Sequence, residues 1–128
     1  MKIILNNFIQ YLETQHKNIL FWNEKACNFL QILMDLEYFK DNECSIQEFE
    51  KYCGLDNLVN NCLNNEHYKD KNVEIFNLNC YLNNIPAFNI ADKETGFHKI
   101  AYEQHNFLVE NIKKQMIKYV LYKLIILD

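Results

Sequence analysis

The apolar run that closes the chain constrains the fold more than any other feature. The last helical segment is predicted to run from Phe97 to Leu127, and its final dozen residues, 116–127, include only two charged side chains, Lys118 and Lys123. A helix drawn through such a run is apolar on nearly every side, which is typical of a helix buried among others. We therefore expect this segment to form the structural centre of the molecule.

Composition favours helices for the rest of the chain. The 128 residues match the size of one domain, and 49% of them are hydrophobic, whereas only two are Gly and one is Pro. This is too apolar for a disordered chain and too poor in turn residues for a many-stranded sheet protein. We predict an all-α fold, a single-domain helical bundle of about five or six helices that spans residues 1–128.

Two apolar patterns predict the first helices. A short helix over residues 3–16 would carry one apolar stripe, formed by Ile4, Phe8, Tyr11 and Leu12. Asn18 to Phe39 is apolar on more than one face, so this second helix should touch two neighbours and form the main wall against the last helix. Trp22 lies within this run and is predicted to be a core residue.

The middle of the chain carries signals for helix ends. Ser45 and Glu48 have the spacing of a capping box, which predicts a two-turn helix that ends near Cys53. Gly54 then stands where a left-handed C-terminal cap is expected. Asp56 is placed to cap a further short helix.

Residues 66–90 fit two kinds of structure. Apolar residues alternate with polar ones between Phe76 and Asn83, as in a strand, yet Ile75, Leu78 and Leu82 also have helical spacing. A helix is favoured, and a short hairpin around 73–90 is the alternative. Pro86 should end either element and begin a connector that runs to Gly96.

Charge excludes some functions. The net charge is −4 and the chain contains no Arg, which argues against direct binding of nucleic acid. No apolar run reaches the roughly 18 residues of a membrane span, and the run at the amino terminus is too short for a secretion signal. We expect a cytoplasmic protein with no membrane partner.

No catalytic or metal-binding motif is present in the sequence. The five Cys have no Cys-x-x-Cys spacing and are expected to be reduced thiols. His98 and His105 lie on one face of the last helix but about 10 Å apart, too far to share one metal ion. Two glycines cannot form a phosphate-binding loop. We therefore expect no metal, no cofactor and no enzymatic activity.

The strongest candidate for function is an acidic segment. Residues 35–56 contain seven acids against two lysines, a net charge of −5, so the remainder of the chain is about +1. Such a face could dock a basic partner, with nearby aromatic side chains as anchors, although an ordinary solvated surface would have the same composition. The predicted partner-binding residues are Asp35, Glu37, Tyr38, Asp41, Glu43, Glu48, Glu50, Tyr52 and Asp56.

A small, acidic, Asn- and Lys-rich chain without Arg and without a site of its own resembles the immunity proteins of bacterial contact-dependent growth inhibition systems. The resemblance is one of overall character, since these proteins share no motif, and no individual residue carries over. It implies a cognate partner, the toxin domain of a large secreted adhesin, often a tRNase or DNase, whose basic cleft the acidic segment would cover. The protein would then be a monomer in a heteromeric complex. The alternative is a small helical interaction subunit, or a phage-encoded inhibitor, that docks onto a larger complex through the last helix.

Overall fold

The computed structural model describes residues 1–15, 20–89 and 99–126, with the side chains of the second range described from Asn23 onward. These ranges form an all-α helical bundle with one small sheet, which confirms the predicted fold class. The helices are α1 (Leu5–Thr14), α2 (Leu20–Asp35), α3 (Ile46–Tyr52), α4 (Leu55–Leu58), α5 (Asn72–Asn83) and α6 (Lys99–Ile126). The strands are β1 (Ile3–Ile4) and β2 (Glu43–Cys44).

The sheet is the element that the sequence pattern did not predict. β1 and β2 pair antiparallel, with Ile3 opposite Cys44, and both of these side chains are buried. The first helix therefore begins at Leu5 rather than at residue 3. Ile4, predicted to lie on its apolar stripe, is 44% exposed because it points away from the core in the strand.

Two hydrophobic clusters fill the interior. In the first, α1, α2, α3 and α6 surround three fully buried rings, Phe8, Phe29 and Phe49. The second lies on the other side of α2, where Leu36 packs with Leu78 and other residues of α4 and α5. Burial on two faces confirms that the second helix touches two neighbours. The side chain of Trp22 lies outside the described set.

The chain leaves α2 through a left-handed residue. The amide of Tyr38 donates to the carbonyl of Leu33, and that of Glu37 donates to Met34, the bond pattern of a Schellman cap. Glu37 has a φ of 53°, in the region that favours glycine. Asp41 and Asn42 also have positive φ, so three of the four such non-glycine residues in the described ranges lie between 37 and 42.

The capping box at the start of α3 is confirmed. The amide of Glu48 donates to the hydroxyl of Ser45, and the Glu48 carboxylate accepts from the Ser45 amide, both at 3.0 Å. The two predicted caps that follow are wrong. Gly54 has a φ of −66° and is itself the N-cap of α4, because the chain turns directly from one helix into the next. Asp56 lies in the first turn of α4 instead.

The ambiguous segment is helical, so the favoured prediction is confirmed and the hairpin alternative is wrong. Residues Asn72–Asn83 form α5, which buries Leu78 and Leu82. These two side chains lie one turn apart and meet α2, whereas Val73 and Phe76 remain exposed on another face. Helical packing on α2 thus decided what the local pattern left open.

The last helix is only partly the buried centre that its composition predicts. Its buried face is continuous from Ala101 to Tyr119 and packs on α1, α2, α3 and α4. Two apolar residues in the first half of the helix, Ile100 and Phe107, are exposed. The prediction that residues 116–127 are buried is wrong for most of the run, since Ile117, Leu121, Tyr122, Leu124, Ile125 and Ile126 are all exposed. No described neighbour extends far enough to cover them.

A helix that crosses a membrane must be long and predominantly apolar. Within the described ranges, no helix is both long enough and apolar enough to cross a bilayer.

Candidate partner-binding site

A groove of about 310 Å³ opens beside the ends of α2 and α3. Three tyrosines line it: Tyr38 follows α2, Tyr52 is the last residue of α3, and Tyr68 lies in the 3-10 turn before α5. We call it the tyrosine groove. Its complete lining is Tyr38, Phe39, Lys40, Glu48, Tyr52, Asn61, Asn65 and Tyr68.

The hydroxyl of Tyr38 ties three chain segments together at this groove. It donates to the backbone carbonyl of Tyr52 and accepts from the side-chain amide of Asn61 at 3.1 Å. Burial raises the pKa of the Tyr38 hydroxyl well above its usual value of 10, so it stays protonated and keeps donating at neutral pH. The groove is therefore held in one shape by hydrogen bonds rather than formed by loose side chains.

Glu48 supplies a negative charge to the groove. Its carboxylate is fixed by the capping box and lies 3.2 Å from the amine of Lys2. The hydrogen bond from the Ser45 amide, followed by that from Lys2, lowers the pKa of Glu48 below its usual range. It is ionised at neutral pH and cannot swing freely toward a partner.

The segment from Glu37 to Glu43 forms an acidic rim beside the groove, which we call the acidic loop. Asp41 is exposed and Glu43 is partly exposed, and neither has an ion-pair partner among the described residues. Glu37 lies 4.0 Å from Lys71. Left-handed backbone at non-glycine residues costs of order 1–3 kcal/mol each and persists only where the surroundings enforce it. The backbone of the acidic loop is thus strained and holds its carboxylates in fixed positions.

Lysines distant in the sequence neutralise part of the acidic segment. Besides Glu37 and Glu48, Glu50 is paired, at 3.0 Å from Lys113 of α6. These pairs are exposed, so each contributes little to stability, but they remove local negative charge. The net charge of −5 in residues 35–56 becomes −2 once Lys2, Lys71 and Lys113 are counted with it.

The nine predicted residues do not form one surface. Tyr38, Glu48 and Tyr52 meet in the tyrosine groove. Glu50 lies two positions from Glu48, about 200° around α3, and faces α6 instead. Asp56 accepts a hydrogen bond from Tyr102 of α6 at 2.8 Å. The remaining predicted residues lie at the end of α2 or in the acidic loop, namely Asp35, Glu37, Asp41 and Glu43.

Five lining residues of the groove were not among the sequence candidates. Phe39 and Lys40 lie between the predicted residues Tyr38 and Asp41. Asn61, Asn65 and Tyr68 come from the turns between α4 and α5. No local pattern marks these three, because they reach the groove through tertiary packing. Tyr68 is 7% exposed, so most of its ring belongs to the core.

A second cavity, of about 230 Å³, lies beside a buried histidine. The hydroxyl of Tyr81 donates to Nδ1 of His105 at 2.8 Å, and Nε2 of His105 donates to the carbonyl of Cys53 at 2.6 Å. The carbonyl can only accept, which assigns the proton to Nε2. Burial lowers the pKa of His105 below 6.5. Both ring nitrogens are occupied, so His105 serves as a tie between α3, α5 and α6.

The thiols and histidines of the described ranges do not assemble a reactive or metal-binding centre. All five cysteines are free, and burial raises the pKa of both Cys44 and Cys62 to about 12, which disfavours the nucleophilic thiolate. No group of three or more His, Cys, Asp or Glu side chains converges there. His98, the predicted neighbour of His105, lies outside the described residues.

The comparisons with known proteins do not assign a relative. The chain matches no protein-family model, no curated protein and no solved structure.

Proposed function

We propose that this chain is an immunity protein that binds a cognate bacterial toxin domain and blocks it without chemistry of its own. The toxin that suits it best is a nuclease, because a nuclease needs a basic cleft for its substrate. The observation that carries the proposal is the position of the strained acidic loop directly beside the tyrosine groove. Charge and aromatic anchors are thereby presented together, as in tight protein interfaces.

The acidic loop and the tyrosine groove would have different roles in binding. Asp41 and Glu43 have no ion-pair partner among the described residues, so they would attract a basic surface and raise the association rate. The tyrosine groove would then take up a side chain of the partner, since buried aromatic contacts supply most of the affinity at protein interfaces. Tyr52 is 38% exposed and is the groove residue with the most ring surface to offer.

Backbone strain in the acidic loop also supports the proposal. Residues in left-handed conformations tend to occur where function requires a fixed geometry. A loop that is already fixed loses little conformational entropy on binding, which favours affinity. Ordinary solvated acids would not need three left-handed residues within six positions.

Co-expression tests the proposed function. The toxin domain encoded beside this gene should arrest growth, and this protein should restore it. If growth remains arrested, the protein is not its inhibitor. The double variant Asp41→Lys, Glu43→Lys should protect less well, because both reversals place positive charge opposite a basic cleft.

A matched control separates local charge from total charge. Glu13→Lys, Glu24→Lys makes the same change in net charge at exposed positions of α1 and α2, outside the groove lining. This control should protect as well as the wild type. Equal loss in both double variants would show that only total charge matters and would remove the acidic loop from the interface.

A second candidate function is a helical interaction subunit that docks through α6. The observation in its favour is the exposed apolar end of that helix, where Leu121 and Ile125 are 54% and 76% exposed. Under this reading, the Asp41→Lys, Glu43→Lys variant would leave binding to the larger complex unchanged. Substituting Leu121 and Ile125 by Ser would abolish it.

A further inference from the structure

The last two turns of α6 expose an apolar surface on several sides. Leu121, Tyr122, Leu124, Ile125 and Ile126 are between 47% and 76% exposed, and we call this set the apolar tip. Successive helical residues are turned by about 100°, so these five side chains cover an arc of about 200° around the helix. On one side, the apolar tip contacts α1, where the ring centroids of Tyr11 and Tyr122 are 5.5 Å apart.

Positive charge accompanies the apolar tip. Residues 111–126 contain four lysines and no acid. Lys113 is engaged by Glu50 and Glu110, and Lys123 lies over the ring of Tyr119. Lys114 and Lys118 are exposed and have no acidic partner among the described residues. A partner surface that binds the apolar tip must therefore be apolar and must carry negative charge at its edge.

We propose that the apolar tip binds the surface of a lipid bilayer that contains anionic lipids. Apolar side chains enter the boundary between headgroups and acyl chains, and lysines beside them contact the anionic headgroups. Tyr122 has the amphipathic ring that is enriched at this depth.

Two other occupants fit less well. A second copy docked through the same surface would bring two pairs of exposed lysines, Lys114 and Lys118 of each copy, together with no acid in residues 111–126 to offset them. A groove in a partner protein reads one stripe of a helix, at positions i, i+3, i+4 and i+7. In the apolar tip, Tyr122 and Ile126 widen the stripe formed by Leu121, Leu124 and Ile125 to about 200°, an arrangement that suits a fluid apolar medium. The proposal departs from the sequence-based expectation of no membrane partner, since it implies peripheral contact without a span.

The tip is distant from the tyrosine groove, so this inference does not rest on the proposed function. The tip shares no residue with the groove lining or the acidic loop, and Lys113, which pairs with Glu50 of α3, lies 11 positions before Leu124 on α6, a rise of about 16 Å. A protein held to a bilayer by the tip would leave the acidic loop accessible.

Flotation with lipid vesicles tests the proposal. The full-length protein should float with vesicles of phosphatidylcholine mixed with phosphatidylglycerol and should stay behind with phosphatidylcholine alone. Lys114→Glu, Lys118→Glu should weaken binding at least about tenfold, since each lysine near an anionic surface is worth roughly a tenfold change or somewhat less. Leu121→Ser, Ile125→Ser should abolish it.

The matched control is Val73→Ser, Phe76→Ser on α5, which removes two equally exposed apolar side chains elsewhere and should bind as the wild type does. All four positions are exposed, so circular dichroism should show that each variant is folded. Three results would overturn the proposal: no flotation with either vesicle, equal flotation with both, or equal loss in the control. Sedimentation that shows a dimer broken by Leu121→Ser, Ile125→Ser, without vesicle binding, would assign the tip to self-association instead.

Discussion

Two regions of this chain contain side chains whose burial differs from what the composition of the segment predicts. Residues 35–56 are rich in acids and would be placed at the surface, yet they supply Leu36, Phe49 and Cys53, which are fully buried. Residues 117–126 are nearly all apolar and would be placed in the core, yet most of their side chains are exposed. The two regions differ in the neighbouring helices that cover them. The acidic segment lies between α2 and α6, whereas the end of α6 extends past the helices that could cover it.

The two regions show that apolar residues can be either buried or exposed, depending on their neighbours. Within the acidic segment, apolar residues at helical spacing contact a neighbouring helix and are part of the core, while the carboxylates between them reach water. At the end of α6 no described neighbour is present, so an apolar run becomes an exposed patch, and such patches commonly mark binding surfaces. Burial is therefore decided by what lies opposite a residue.

The largest expected effect contrasts one side chain from each region. Phe49→Ala should reduce the free energy of unfolding by about 3–5 kcal/mol, because it empties a site between Phe29 and the packed face of α6. Leu124→Ala should change it by less than about 0.5 kcal/mol, because that side chain is already half in water. Urea unfolding of both variants measures this. Similar losses would show that the tip is packed and that the comparison is wrong.

A second prediction concerns the packed half of α6 and its response to pH. The folded pKa of His105 lies below the unfolded value of 6.5, so the unfolded chain binds the proton more readily. Stability should be unaffected by this residue above pH 6.5 and should fall as the pH drops below it, by at most about 1.4 kcal/mol per pH unit. Chemical unfolding between pH 7.5 and pH 5 measures the slope.

His105→Gln is the matched variant for this measurement. It keeps a hydrogen-bonding side chain near Tyr81 and Cys53 but cannot titrate. It should be less stable than the wild type at pH 7.5 and should lose the part of the slope between pH 6.5 and pH 5 that is due to His105. An unchanged slope would assign the pH dependence to other groups.

A stability effect smaller than that of Phe49→Ala, and of opposite sign, is expected in the acidic loop. Glu37→Gly should raise the free energy of unfolding by about 0.5–1 kcal/mol, because glycine adopts a φ of 53° without strain. Asp35→Gly, two positions earlier and within α2, should lower it, since glycine weakens a helix. Thermal unfolding of the two variants gives the signs. A loss of stability in Glu37→Gly would show that the loop is not strained there.

The sequence predicted the elements that depend on local chemistry. The capping box at Ser45 and Glu48 was placed correctly because its hydrogen bonds join residues three positions apart. The β1–β2 pairing was missed because it joins Ile3 to Cys44, and two-residue strands leave no local periodicity. Gly54 was misassigned because a glycine between two helices fits the end of one as well as the start of the next.

The candidate site could be predicted only in part for the same reason. Tyr38, Glu48 and Tyr52 were found because they lie among the acids. Asn61 and Tyr68 join them through contacts between distant segments, and Glu50 leaves them by facing Lys113. The direction of a side chain on a short helix follows from its neighbours, which a single sequence does not give.

The most direct test of the proposed function is the association rate of the purified protein with the purified toxin domain, measured by stopped flow at low and high salt. Wild type should associate rapidly and slow steeply with salt, because Asp41 and Glu43 steer the encounter. Asp41→Lys, Glu43→Lys should be at least about tenfold slower at low salt and less sensitive to salt, whereas Glu13→Lys, Glu24→Lys should resemble the wild type. Equal rates for wild type and the loop variant at both salt concentrations would contradict the assignment of the acidic loop as the docking surface.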